Sequence, residues 1–298
     1  MIYKILFLLF LVQALLAQDA GKTGLSFLKI STSARNAALA DMGSALSKDL
    51  SAVFYNPSLI TSLESAAVGV TYNKWFEDAN YSVFTMNADL AGIPFAVSIN
   101  SFSVPGIEIR EKPGDPLGTF KAQYFSGSFV TGYKVYKELS IGVGGKYIYE
   151  GLFSEEGTGY AFDFGVSHSG IMEGLSLGFS VRNIGSMKEL KNASTELPSE
   201  LRGGGTYKMT LPEYKVAFVT GADMIKYMNY SDLKFSVGGE ATYDRLLSIR
   251  AGYRTGVEAV GFSFGFGINW NSIQFDYAFL PFSDGLGNGN IIGLIYNF

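Results

Sequence analysis

Hydrophobic and polar residues alternate one by one along most of this chain. In 259–270 the residues Val260, Phe262, Phe264, Phe266 and Ile268 take one parity, and Gly261, Ser263, Gly265, Gly267 and Asn269 the other. Successive side chains of a strand point to opposite faces, so such a segment has one oily surface and one small or polar surface. The pattern recurs with Leu175, Leu177, Phe179 and Val181 against Ser176, Gly178, Ser180 and Arg182, and with Tyr160, Phe162, Phe164 and Val166 against Ala161, Asp163, Gly165 and Ser167. It recurs again in 233–240, 247–254 and 273–279. The alternation predicts about 14 strands, at 66–75, 80–91, 93–103, 122–134, 138–149, 158–168, 174–183, 200–209, 214–224, 231–241, 246–255, 259–269, 272–280 and 290–298. Each is near the ~10 residues that a tilted membrane-spanning strand needs.

The connections sort by parity. Several odd-to-even links are long (104–121, 150–157, 184–199 and 280–289), whereas even-to-odd links such as 91–92, 210–213, 242–245 and 270–271 are short. The links at 76–79 and 256–258 are short exceptions. Bacterial outer-membrane barrels have short periplasmic turns and longer outer loops. A soluble sandwich or propeller, the alternative all-β reading, has no reason for that sorting, and no blade repeat is visible. The last strand ends Ile292, Leu294, Tyr296, Phe298 on one face. A terminal aromatic on such a strand resembles the insertion signal of bacterial outer-membrane barrels.

Residues 1–17 read as a secretory signal: Lys4, an apolar core from Ile5 to Val12, and a cleavage site after Ala17. The run is shorter than the ~20 residues of a membrane helix, although an uncleaved anchor is the alternative. Beyond it no apolar stretch reaches spanning length, yet 47% of the chain is hydrophobic and 15% aromatic. An exported chain this apolar satisfies its backbone in lipid by closing a barrel. The fold expected is therefore an all-β, transmembrane antiparallel β-barrel of about 14 strands with a short N-terminal helical hatch or plug. The expected division is 1–17 signal peptide, 18–64 hatch and 65–298 barrel.

The hatch segment differs in character. Thr32–Ala40 is Ala-rich and suits a helix capped by Ser31, Thr32 or Ser33, with Gly43 a plausible stop. A second short helix is expected over Asp49–Phe54, ended by Pro57. The segment either plugs the lumen or lies across the periplasmic opening.

Ser33-Ala34-Arg35, then Ala37-Ala38-Leu39-Ala40-Asp41-Met42-Gly43, then Asp49 through Asn56-Pro57-Ser58-Leu59-Ile60 resemble the N-terminal signature of the PorV/PorQ family. Ser58 stands where the family's usual pattern has Ala. Arg182-Asn183-Ile184-Gly185, and Leu197-Pro198 before Arg202-Gly203-Gly204, are also similar to it. That family is similar to the FadL-type transporters. The resemblance implies a FadL-like 14-stranded barrel with a hatch, whose signature residues here are Arg35, Asp49, Asn56 and Pro57. It also implies a place in type IX secretion or surface attachment, with secreted proteins and other secretion-system subunits as partners. The alternative it leaves open is a FadL-like transporter of hydrophobic small molecules.

If the oily faces meet lipid, the other faces line the lumen. That places Lys146, Asp163, Arg182, Lys208, Lys234, Glu240, Arg250, Arg254 and Asp276 inside, because an Arg or Lys at the lipid midplane costs about 2–4 kcal/mol. Glu240 and Arg250 lie on adjacent strands and are placed to pair, and Arg35 is placed to bridge the hatch to a luminal carboxylate. Filling the barrel with an ion-pair network is the simpler reading of these charges, and a permeation path the more functional one. Trp75, Tyr72, Tyr133, Tyr147, Tyr149 and Tyr253 fall near strand ends, as interfacial aromatic girdles do.

Composition narrows the chemistry. There are 23 basic and 27 acidic residues, so no concentrated basic surface exists for nucleic acid. Cys is absent and His168 is the single histidine, which removes thiolate chemistry, disulfides and most metal-ligand sets. His168 reads as interfacial, and Glu155-Glu156 as solvated on an outer loop. The Gly runs 142–145 and 203–205 precede no helix, so they suit barrel curvature and close hatch contact rather than phosphate binding. No cofactor, metal or catalytic residue is expected, and the reading is non-enzymatic.

Overall fold

The computed structural model describes residues 23–46, 49–75, 78–190, 193–256, 260–283, 285 and 287–298. The expected signal peptide lies outside the described residues. Fourteen antiparallel strands close on themselves: β1 (Ala67–Lys74), β2 (Asn80–Leu90), β3 (Ile93–Ile109), β4 (Gly118–Tyr136), β5 (Leu139–Leu152), β6 (Glu155–Ser169), β7 (Leu175–Met187), β8 (Glu200–Leu211), β9 (Val216–Tyr227), β10 (Leu233–Tyr243), β11 (Leu247–Arg254), β12 (Phe262–Trp270), β13 (Ile273–Pro281) and β14 (Asn288–Asn297). Neighbours in sequence pair all the way round, and β1 closes the ring on β14 from Ala67↔Asn297 to Lys74↔Asn290. Closure leaves no strand edge, which is the condition for a sheet in hydrocarbon. Among the described residues no helix is long and apolar enough to cross a membrane.

The oily parity faces outward. Phe84, Phe129, Phe162, Phe179, Phe235 and Phe264 are all exposed, together with Val70, Ile99, Ile249 and Leu294. Their counterparts Ser98, Ser126, Ser180, Ser236 and Ser263 are buried in the lumen. Such a surface is stable against lipid and not against water.

Several strands run beyond the alternating stretches. β3 and β4 have 17 and 19 residues, well past the ~10 needed to span. Their hairpin therefore rises above the membrane, and the connection expected over 104–121 shrinks to 110–117. Glu155 and Glu156 likewise belong to β6, paired with Leu152 and Gly151 of β5, and not to a loop. A two-residue ladder, Glu189–Leu190 with Ala193–Ser194, stiffens the connection between β7 and β8.

Residues 23–46 and 49–64 fold inside the ring. A 3₁₀ turn (Ser26–Lys29) leads to α1 (Ala34–Ala38), whose N-cap Ser33 accepts from the Asn36 N–H. The helix ends at Ala38, before the expected stop at Gly43. Ala40 and Asp41 make the reversal instead, with φ of 57° and 64°. A second helix, α2 (Ala52–Tyr55), gives way to a 3₁₀ turn over Pro57–Ser62. Pro57 suits that first-turn position because its missing N–H has no partner to lose. The Asn56 side chain caps the turn by accepting from the Ser58 N–H at 3.1 Å. The hatch presses directly on the wall. A Cβ on Gly178 of β7 would overlap the Ser44 carbonyl, and one on Gly142 of β5 would overlap the Pro57 carbonyl carbon.

Candidate functional site

The site is the hatch, the charged wall that holds it, and the cavities on either side. Asp41 lies at its centre, in the left-handed turn after α1. Its carboxylate accepts from Ser31 Oγ and Tyr55 OH, each at 2.5 Å. It also pairs with Arg202 Nη2 of β8 at 3.2 Å and Arg254 Nη1 of β11 at 3.3 Å. Burial alone raises a carboxyl pKa; here the two guanidiniums and two hydroxyl donors outweigh it and hold Asp41 below its ordinary value.

Arg202 gathers the cluster. It reaches Glu200 at 3.3 Å and Asp223 of β9 at 3.5 Å, donates to the Asp41 carbonyl at 2.6 Å, and lies over the Tyr55 ring. Glu200 in turn takes Arg182 of β7 at 2.6 Å. Asp223 accepts the backbone N–H groups of Gly43 and Ser44 at 2.8 and 3.0 Å. The wall therefore holds the hatch by its main chain as well as its side chains.

A second cluster holds α1. Arg35 bonds Glu240 of β10 through two nitrogens, at 2.9 and 2.8 Å, and Asp49 of the hatch at 3.1 Å. Arg250 of β11 continues it, to Glu240 at 2.6 Å and to Asp276 of β13 at 2.6 Å. A third pair, Lys146 of β5 with Asp163 of β6 at 2.7 Å, sits at a bulge where the β6–β7 register slips. Asn183, with φ 57°, turns its N–H to Asp163 at 2.8 Å there and accepts from Lys146 at 2.7 Å.

Hydroxyls and amides complete the attachment. Ser180 donates to the Tyr55 carbonyl, and Ser263 of β12 bridges the Ala38 carbonyl and the Ala40 N–H. Asn56 donates to the Val166 carbonyl of β6. Ser58 bonds Ser167 of β6, and Thr61 bonds Ser140 of β5.

Of the lumen charges expected from parity, Lys146, Asp163, Arg182, Glu240, Arg250, Arg254 and Asp276 take part in these clusters. Lys234 stands apart, half-buried above the Tyr227 ring. Lys208 continues the inward face of β8 to the periplasmic end, where it is exposed. Asp41, Glu200, Arg202 and Asp223 are further lumen charges, beyond those expected. Glu200 and Arg202 share the parity of Lys208, which was the signal available. Asp223 lies in a strand whose outward residues include Thr220 and Ala222, so its alternation is faint. Tyr72, Tyr133, Tyr147 and Tyr253 are exposed on the outer face, as in a girdle. Trp75 departs from that expectation: it packs on Phe282, with ring centroids 4.9 Å apart, and faces a cavity. His168 lines a periplasmic recess beside Glu138 and Glu64.

That cavity, about 390 Å³, lies on the outer side of the hatch. Phe27, Ile30, Trp75, Phe102, Val260 and Leu280 give it apolar walls, and Lys29, Lys234 and Arg254 give it cations. On the periplasmic side are recesses of about 280 and 350 Å³.

Solved structures of similar shape include a channel and a transporter. The barrel is similar to the CymD monoaromatic hydrocarbon channel, with a TM-score of 0.62 and 12% identity over 88% of this chain and 96% of that one. It is similar to the Pseudomonas putida toluene transporter TodX at 0.59 and 11%, over 87% and 95%. It is also similar to a Pseudomonas aeruginosa FadL homologue at 0.56 and 12%, over 90% and 99%. At such identities the likeness is one of fold. No curated protein matches the sequence. The model of the type IX secretion system protein PorV matches residues 16–228, more than half of the chain. A closed lipid-facing barrel, a hatch carrying the Arg35 and Asn56-Pro57 signature, and that match agree: the chain is a bacterial outer-membrane protein and belongs to the PorV family.

Proposed function

We propose that this protein is a non-enzymatic outer-membrane component of type IX secretion or surface attachment that acts through partner proteins. Residues 1–17 would direct export, 18–64 form the hatch, and 65–298 form the barrel. The family match over residues 16–228 carries the reading. Two structural features support it. The lumen holds a hatch ion-paired to its wall, so the rims are the surfaces open to partner proteins. The β3–β4 hairpin projects a paired arm beyond the bilayer, with Ile107–Ile109 opposite Gly118–Phe120. Affinity purification of the tagged chain from outer membranes should recover secreted proteins or other secretion subunits. Its deletion should leave secreted proteins unreleased. An unchanged secretome with no co-purifying partner would overturn the reading.

The apolar outer cavity favours a second reading, transport of hydrophobic small molecules. Trp75, one of two tryptophans, lines it. A hydrophobic ligand entering should change Trp75 fluorescence, and Trp75→Phe should abolish the response. A response that survives Trp75→Phe, or none with any apolar probe, would remove this reading.

A further inference from the structure

Among the described residues, the polar ties of the hatch to the wall gather on one side. The polar ties described above all run to β5–β12. The remaining arc, β14 and β1–β4, carries no charged side chain at the inward positions of its buried stretch. There the hatch makes apolar contact: Val53, Phe54 and Ile60 share a core cluster with Tyr81, Val83, Ala96 and Val130.

The same arc has buried polar atoms that no other protein group reaches. Asn73 Nδ2 and Oδ1, Tyr81 OH, Asn87 Oδ1, Ser98 Oγ, Asn100 Oδ1 and Ser126 Oγ have no hydrogen-bond partner. Native interiors pair such groups with protein or with water. On β5–β13 the described orphans are fewer and scattered: Ser236 Oγ, His168 Nδ1, and the Nε atoms of Arg182 and Arg254, whose guanidiniums are already ion-paired. The β1–β4 groups form a row. Asn73 and Tyr81 are cross-strand partners, and Tyr81 opposes Phe102, which lines the outer cavity. Asn100 opposes Ser126 on β4. Asn87, at the other end, lines the 350 Å³ periplasmic recess.

We infer that the hatch parts from the wall along β1–β4 while it stays anchored to β5–β12, opening a hydrated passage for small uncharged polar solutes. Separation there breaks apolar contacts, and the entering water satisfies groups that now lack partners. Separation on the opposite side breaks ion pairs in a medium of low dielectric constant. The uncharged lining sets the solute class, because an ion leaving water would meet no countercharge along the row.

The natural chain has no cysteine, so single thiols report cleanly. Ser98→Cys and Ser126→Cys place thiols on the row; Ser180→Cys and Ser263→Cys place them at equally buried serines on the anchored side. Each full-length variant is folded in lipid vesicles and treated with neutral iodoacetamide or with anionic sulfonatoethyl methanethiosulfonate. Denaturation afterwards confirms that all four thiols are present and reactive. With each rate divided by the same reagent's rate on the denatured variant, the expected result is iodoacetamide labelling at least tenfold faster at 98 and 126 than at 180 and 263, with the relative rate of the sulfonate reagent at least tenfold lower at the first two. Equal rates at all four positions, or no labelling of the folded barrel, would overturn the passage. Equal relative rates for the two reagents at 98 and 126 would overturn the solute class.

Discussion

Asp41 occupies a left-handed backbone conformation that costs a non-glycine residue energy, and it carries a charge out of water. Both costs are offset locally: the turn aims its carboxylate at Arg202, Arg254, Ser31 and Tyr55, so four donors reach it at once. Buried pairs of this kind add little net stability against an apolar replacement, but removing one partner is expensive. The group also makes a pH prediction with a definite sign. Its folded pKa lies below the ordinary aspartate value of 3.8, so its contribution is fully present above that value and is lost as pH falls through the folded pKa. Protease protection of residues 23–62 should therefore hold across neutral pH and fail only below about pH 4. Asp41→Asn should weaken the hatch by about 1.5–3 kcal/mol, the worth of a hydrogen bond to a charged group, and should bring the acid-type protease sensitivity to neutral pH. Unchanged protection in Asp41→Asn at every pH would show that the cluster does not hold the hatch.

Between hatch and wall, closeness of backbone matters as much as charge. The Ser44 carbonyl lies where a side chain on Gly178 would begin, so β7 and the hatch meet without a side chain between them. Gly178→Ala should force one of the two to move, at the ~1–3 kcal/mol typical of overpacking. Limited proteolysis should then cut the hatch faster while the barrel's strand content, read by circular dichroism, stays the same. Gly239→Ala, where the nearest atoms stand 3.7 Å or more away, should change neither. The strands themselves were legible because each lies between two different surroundings, and the alternation of Phe262, Phe264 and Phe266 with Ser263 and Gly265 records both. Where one surrounding disappears the record fades. Above the bilayer the β3–β4 hairpin has water on its outer face, so Glu108 and Lys121 there gave no sign of a strand. Trp75 departs from the girdle for a related reason: an aromatic at a strand end suits the girdle and the mouth of the lumen equally. The partners of Arg202 were illegible because parity tells which face a residue takes, and only the path of the hatch through the ring decides what it meets.

For the whole molecule, the ring separates lipid from a polar interior, and position along a strand becomes depth in the membrane. Phe266 lies midway along β12, facing outward between Ile249 of β11 and Tyr277 of β13. Trp270 ends the same strand at the short-turn rim and is 66% exposed. The two point in the same direction, so an arginine at either meets lipid rather than lumen. It differs only in how far the guanidinium must reach to find headgroups and water. Phe266→Arg should therefore cost about 2–4 kcal/mol and Trp270→Arg about 0–1, read from guanidinium unfolding of the barrel in lipid vesicles. A soluble sandwich would give neither the size nor the gradient, because water would solvate both arginines alike. Equal, small costs at the two positions would mean that the Phe rows do not face hydrocarbon.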